Sequence, residues 1–351
     1  MKANRLKLFT AILFLLGGLP PKNAKASPDG NVSYSIIETE ANKYKHTVLY
    51  LDLIGFDTYF DASVSTNVRL ETMIGERFMP AAEVRYSWSD VATSHPGTYP
   101  TSIGGLQKQM IVDIGGVYFF RSKVKKVPVK VVLHSHSSGN YTYTKYVLVP
   151  SEVKRMVGLR GGLFSDRKAL TFKEESHPYF NYKSTDGLTE LPINNVGNHT
   201  GVQPAGNAYM PLAMSTTPSL YAGIHLRNIK NTIIRTSGYG KRGNTKISDL
   251  YFDLMLAPTV IIKNVKDEDG VEWQIVPKSD GIRSLGYRIG YSLHSSRYCG
   301  FIWSTEFGKR PGAILGPSFL NNGTSLTFNL GISIGSGKYL ALHHKSSKTE
   351  E

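Results

Sequence analysis

Cysteine is nearly absent. Cys299 stands alone in 351 residues, so no intramolecular disulfide can form. An exported domain without disulfides must rely on a large core or on a membrane. Long apolar runs are also missing. Beyond the N-terminal segment no stretch of about 18 apolar residues occurs, which excludes a bilayer-spanning helix. There is no HExxH, no GxSxG and no cysteine pair, so the usual metalloprotease, hydrolase and zinc-site signatures fail. "GISIGSGKY" is not a phosphate loop, because Ile332 stands where the first glycine belongs and Tyr339 follows Lys338. No cofactor and no metal site is therefore expected. Acid is scarce too: Lys and Arg number 41 against 27 Asp and Glu, a net charge of +14.

What is abundant is strand and turn chemistry. The chain carries 34 glycines, 20 tyrosines and 15 phenylalanines, a mixture that favours strands joined by turns. The N-terminus places Lys2, Arg5 and Lys7 before the apolar run 8–19. Ala24-Lys25-Ala26 then offers a small-x-small cleavage point. Residues 1–26 are expected to be a secretory signal peptide, 27–45 a polar lead-in and 337–351 a polar tail.

Between them the sequence alternates. In "SLTFNLGISIGSG" every second residue from Leu326 to Ile334 is large and apolar, and those between are small or polar. A strand sends successive side chains to opposite faces. The same pattern marks twelve segments: His46–Ile54, Phe60–Leu70, Phe78–Trp88, Met110–Phe120, Val127–Leu133, Tyr141–Val149, Glu152–Phe164, Ser219–Arg227, Leu250–Ile262, Arg283–His294, Cys299–Phe307 and Ser325–Gly337. Several are about 10 to 14 residues long. Ordinary strands average about 5 to 6, and crossing hydrocarbon takes about 9 to 11. Gly and Ser crowd the polar faces. Tyr86, Trp88, Tyr118, Phe120 and Phe307 stand near strand ends, where an interfacial girdle belongs.

The expected fold is all-β: an antiparallel transmembrane β-barrel over 46–336, of roughly 10–14 strands with 12 as the best guess. Ser137–Asn140 and Pro150-Ser151 read as tight turns. Residues 165–218 read as one long outward-facing loop that plugs the mouth or docks a partner. Residues 229–249 and 266–282 read as further long loops. A soluble secreted β-sandwich that binds a ligand is the competing architecture, since it alternates as well.

"LGYRIGYSL", "FIWSTEFGKRPG" and "SLTFNLGISIG" resemble the closing strands of outer-membrane barrels of Bacteroidota-type bacteria. The resemblance implies a Gram-negative cell outer membrane, contact with outer-membrane lipid and lipopolysaccharide, and insertion by the barrel assembly machinery. One departure is that a polar tail follows Ile334, where many such proteins end on an aromatic residue.

The functional expectation is a structural, accessory or transport barrel that engages another envelope protein or an anionic solute or lipid. Export argues against nucleic acid, despite the basic clusters at 121–130, 154–168 and 227–246. Arg69, Arg85, Lys126, Lys130 and Arg288 fall on polar faces and are the candidate ligand-binding residues of a lumen. Asp61, Glu83, Asp113 and Glu306 share those faces and offer the alternative of a paired, closed plug. No enzymatic activity is expected. The rival is a lipid hydrolase or deacylase with His134 or His136 as base and a nearby serine as nucleophile, a scheme that needs an orienting acid.

Overall fold

The computed structural model describes residues 24–28, 32–42, 44–59, 63–90, 109–138, 141–171, 179–184, 212–266, 272–297, 299–316 and 322–336. Its strands are β1 (Ala24–Pro28), β2 (Tyr34–Glu38), β3 (Thr47–Asp57), β4 (Ser63–Thr72), β5 (Phe78–Asp90), β6 (Met110–Ser138), β7 (Tyr141–Thr171), β8 (Phe180–Ser184) and β9 (Leu212–Thr236). There follow β10 (Gly240–Leu256), β11 (Ile261–Ile262), β12 (Val265–Lys266), β13 (Glu272–Pro277), β14 (Ile282–Arg283), β15 (Leu285–Ser295), β16 (Cys299–Lys309), β17 (Gly312–Ala313) and β18 (Thr324–Ser336). The chain forms two compact units. One comprises 1–43, 124–154 and 229–246; the other comprises 44–123, 155–228 and 247–351. The interval 46–336 contributes to both.

The larger unit is a closed antiparallel barrel. Its ladder runs β7-β6-β5-β4-β3-β18-β16-β15-β10-β9, and β9 pairs back onto β7. First and last strands meet through β3 and β18, with Leu49 opposite Ile334. Ten strands close it, not twelve. The two extra segments are continuations: Met110–Phe120 and Val127–Leu133 both lie in β6, and Tyr141–Val149 and Glu152–Phe164 both lie in β7. Pro150 sits inside β7 rather than in a turn. A proline is tolerated in a strand where its missing N–H faces no ladder partner.

Side-chain direction is inverted relative to a water-soluble core. Leu163, Leu254 and Phe301 are 59%, 60% and 61% exposed, and Leu70, Val84, Ile114, Leu220 and Ile289 share this outer surface. Alternate residues, Asp52, Asn67, Arg85, Asp113, Asp253, Arg288 and Asn329, are buried inside. A soluble sandwich buries its apolar face, so the sandwich expectation fails. Aromatic residues mark both ends of β5: Phe78 lies opposite Tyr118 at one end, and Trp88 stands near the other.

The connections differ by end. On one side β4 passes to β5 through the short connection 73–77, and β15 ends at Ser295 only four positions before β16 begins at Cys299. Longer segments on the other side build their own structure. β13 pairs with β8 and β12, and β14 pairs with β17. β7 continues to Thr171 and β9 begins at Leu212, so the expected 165–218 loop shrinks to 172–211, most of which lies outside the described residues. Phe180 from β8, Trp273 and Ile275 from β13, Leu170 and Val260 join Tyr59 and Leu315 in one buried apolar cluster. The alternation of Leu250–Ile262 therefore splits. It is outward-facing only to Leu256, and Val260 then turns into the cluster.

In the smaller unit the same strands follow the soluble rule. Val129, Val131 and Leu133 of β6 are buried, while Lys130, His134 and His136 are exposed. Val131, Leu133, Val147, Val149 and Ile234 form the core of this unit. β2 pairs with β9 antiparallel, and β1 pairs with β7 in parallel. The expected cleavage point falls within β1. The segment 229–249, expected as a long loop, is a tight hairpin: β9 ends at Thr236 and β10 starts at Gly240. Gly238 and Gly240 make this turn possible, at φ of 84° and 67°, a left-handed region that glycine enters without steric cost.

Candidate functional site

The barrel interior is the chemically dense region. Each barrel strand delivers alternate side chains to it, and the residues delivered are charged. Near the short-turn end, Arg227 donates from Nε to Asp249 at 2.7 Å and from Nη2 to Glu71 at 2.8 Å. His225 Nε2 lies 2.9 Å from Asp249. The Tyr50 hydroxyl donates to Glu71 at 3.0 Å and lies 3.1 Å from His294 Nε2. Arg69 closes this group beside Glu71, at 3.6 Å.

At mid-height Arg288 holds Asp253 through Nε at 2.7 Å and Asp113 through Nη2 at 2.7 Å. Arg160 approaches the same two carboxylates at 3.6 and 3.7 Å. Two tyrosines brace the arginines. The Tyr221 hydroxyl donates to Asp113 at 2.8 Å, and the Tyr251 hydroxyl donates to Glu306. The Arg160 guanidinium lies 3.9 Å from the centre of the Tyr251 ring, and that of Arg288 lies 4.5 Å from the centre of the Tyr221 ring.

Toward the loop end, Arg85 donates to Glu83 at 2.8 Å and lies 3.5 Å from Asp57. Arg310 donates to Asp57 at 2.6 Å and reaches Asp166 at 3.3 Å. The apolar cluster of the loops follows. Burial pushes the Tyr59 phenol there well above its usual range, so it stays a donor, and it donates to the Pro311 carbonyl at 3.4 Å.

Such pairing leaves little room. One cavity, lined by Arg69, Glu71, Asp113, Arg160, His225 and Asp249 among others, has a volume of ≈ 30 Å³. A single water needs about 10–15 Å³ measured this way, so the space suits one or two waters. Two of the glycines on the inner face make room for tyrosines. A Cβ on Gly290 would strike the Tyr251 ring, and one on Gly115 would strike the Tyr221 hydroxyl.

Of the residues singled out in the sequence, Arg69, Arg85 and Arg288 lie in this interior, each beside a carboxylate. Glu83, Asp113 and Glu306 are among the partners, and Asp61 lies outside the described residues. Lys126 and Lys130 are not in the barrel at all. Both are exposed on the part of β6 that belongs to the smaller unit, where the Lys130 ammonium lies 4.2 Å from the centre of the Tyr146 ring. His134 and His136 stack with centroids 5.5 Å apart, and His136 stacks on Tyr143 at 5.2 Å. The neighbouring hydroxyls are already engaged: Ser135 with Thr144 and Ser137 with Thr142, each at 3.2 Å. Among the described residues no group of three or more His, Cys, Asp or Glu is placed to hold a metal.

Arg160, Arg227, Arg310, Asp166, Asp249 and Asp253 escaped the sequence reading. Asp166 falls in the expected loop 165–218, and Asp249 at the end of the expected loop 229–249. The parity that places Phe164 on the inner face of β7 also places Asp166 there, so extending that strand by two residues was the available signal.

No protein-family model matches the chain, and no curated protein does. Among solved structures, the NanC porin aligns with 6% identity and a TM-score of 0.28, covering 83% of this chain and 100% of the porin. The CymD monoaromatic hydrocarbon channel aligns with 8% identity and a TM-score of 0.26, covering 85% and 91%. OmpT of Vibrio cholerae aligns with 10% identity and a TM-score of 0.17, covering 86% and 99%. The barrel assignment rests on the chain's own closed ladder.

Proposed function

We propose that this protein is an integral barrel of a bacterial outer membrane, exported by a cleaved N-terminal signal, whose ion-paired lumen is closed. Its role in this proposal is that of an anchored envelope accessory, not of an open diffusion pore or an enzyme. One observation carries it: aliphatic and aromatic side chains cover the outside of ten closed strands, and charged side chains fill the inside. In water such a continuous apolar surface drives association. In lipid it is the required surface, and closure leaves no unpaired strand edge. The strands fit the thickness: β3, β15 and β16 have 11 residues each, against the roughly 9–11 that cross the hydrocarbon.

The pairing inside supports the closed state. An open channel keeps its lumen charges solvated. Here Arg85, Arg227, Arg288 and Arg310 each touch carboxylates directly, and the loop cluster around Trp273 packs beyond them. His134 and His136 are packed against rings and neighbours of engaged hydroxyls, which favours a non-catalytic part for them.

Two measurements test this. The mature protein should stay with membranes through carbonate extraction and show heat-modifiable migration on a gel; its release in soluble form would overturn the membrane assignment. In planar bilayers the wild type should stay silent. Steady conductance with solute selectivity would replace the accessory role by transport.

A further inference from the structure

The barrel's arginines sit against carboxylates, whereas most cations of the smaller unit stand in the open. Residues 32–42, 124–154 and 229–246 together hold ten lysines and arginines against three acids, Glu38, Glu40 and Glu152. Lys125, Lys126, Lys130, Arg235, Lys241, Arg242 and Lys246 are all exposed. Among the described residues none of these seven forms an ion pair. A folded unit with unneutralised charge repels itself and is less stable for it. The charge therefore calls for an external polyanion.

Beside the charge runs a row of rings. His134, His136 and Tyr143 stack in sequence, and Tyr141 lies tilted beside Tyr143 with centroids 6.4 Å apart. Tyr141 and Tyr143 are 42% and 39% exposed. Tyrosine offers rigid apolar surface and a polar tip at low entropic cost. An open ring face packs on the C–H surface of a sugar, while the phenol and imidazole groups bond its hydroxyls.

We propose that this unit binds an anionic polysaccharide, with its lysines and arginines taking the carboxylates and the ring row taking the sugar backbone. The surface is long enough for a polymer: from Val124 to Ser138 the β6 part alone has a contour of about 50 Å at roughly 3.3 Å per residue. The rings disfavour a purely electrostatic partner, to which they add little.

The test uses the full-length protein folded in detergent micelles, with heat-modifiable migration as an independent check on the barrel. The probes are polygalacturonate, neutral dextran, polyglutamate and phosphatidylglycerol vesicles. Polygalacturonate should bind, and the affinity should fall steeply between low and physiological salt, as counterion release requires. Dextran should not bind, and polyglutamate should bind about tenfold more weakly, since it offers charge without sugar. The triple variant R235Q, K241Q, R242Q should lose about tenfold on polygalacturonate. The variant H136A, Y141A, Y143A should lose about fivefold on polygalacturonate and nothing on polyglutamate. Equal binding of polyglutamate with an indifferent ring variant would replace the glycan by an acidic protein surface. Tighter binding to the vesicles would replace it by lipid. No binding of any probe by protein that passes the barrel check would overturn the site and leave the membrane assignment standing.

Discussion

The strand β6 passes through two environments and reverses its code on the way. From Met110 to Phe120 the even-numbered, outward-facing row is apolar, with Ile114, Tyr118 and Phe120 exposed. From Val127 to Leu133 the apolar row is the odd-numbered, inward-facing one, with Val129, Val131 and Leu133 buried, and Lys126, Lys130 and His134 stand among the even-numbered residues. The backbone parity does not change. What changes is the solvent outside, and so the sign of the pattern. Charge follows the same division. In the barrel, arginines are enclosed and matched with carboxylates; in the smaller unit, seven lysines and arginines stand exposed and form no ion pair among the described residues. Burial forces neutralisation, because an unpaired ion in a low dielectric is expensive. Exposure permits an excess, and an excess that persists marks a surface for binding.

The sharpest way to break this comparison is to remove one buried partner. Arg288→Ala leaves the buried carboxylates of Asp113 and Asp253 with only the longer Arg160 ion pairs, at 3.7 and 3.6 Å, and should cost up to about 3–5 kcal/mol. Urea unfolding of the protein in lipid vesicles measures it. A cost below about 1 kcal/mol would show that the lumen is wet and the charges already solvated.

Next is the loop cluster that the barrel carries at one end. Trp273→Ala removes its largest fully buried ring and should cost about 3–5 kcal/mol locally. The expected readout is faster protease cleavage within the loops while heat-modifiable migration is retained. Unchanged cleavage would mean that the cluster does not hold the loops in place.

A smaller effect separates a crowded interior from a watery one. Gly290→Val pushes side-chain atoms into the Tyr251 ring and should cost about 1–3 kcal/mol by overpacking. Stability equal to wild type would speak for an interior with room to spare.

The smallest effect belongs to the other region. Lys241→Gln with Arg242→Gln should change unfolding by no more than about 0.5 kcal/mol, as expected for exposed sites without partners. Marked destabilisation would place these side chains in a structural network.

Much of the barrel was legible in the sequence. Alternation assigned Val84 to the outside and Arg85 to the inside, and Leu254 to the outside, because parity along a strand is a local property of the backbone. Glycine and serine on the polar faces indicated a crowded or wet lumen, and the rings over Gly290 and Gly115 decided for crowding. Alternation also found every strand of the ladder, yet counted two of them twice. Pro150 and the lysines at 123–126 resemble interruptions, and only the pairing of neighbouring strands shows that the ladder continues past them.

The sequence by itself determined the all-β class, the alternation of faces and the excess of positive charge, since each is a property of composition or of neighbours along the chain. The tertiary structure alone decided that ten strands close, that Arg288 meets Asp113 and Asp253, and that Lys126 and Lys130 belong to a separate exposed unit rather than to a lumen. Those facts depend on residues far apart in sequence meeting in space, and alternation carries no information about which strands lie side by side.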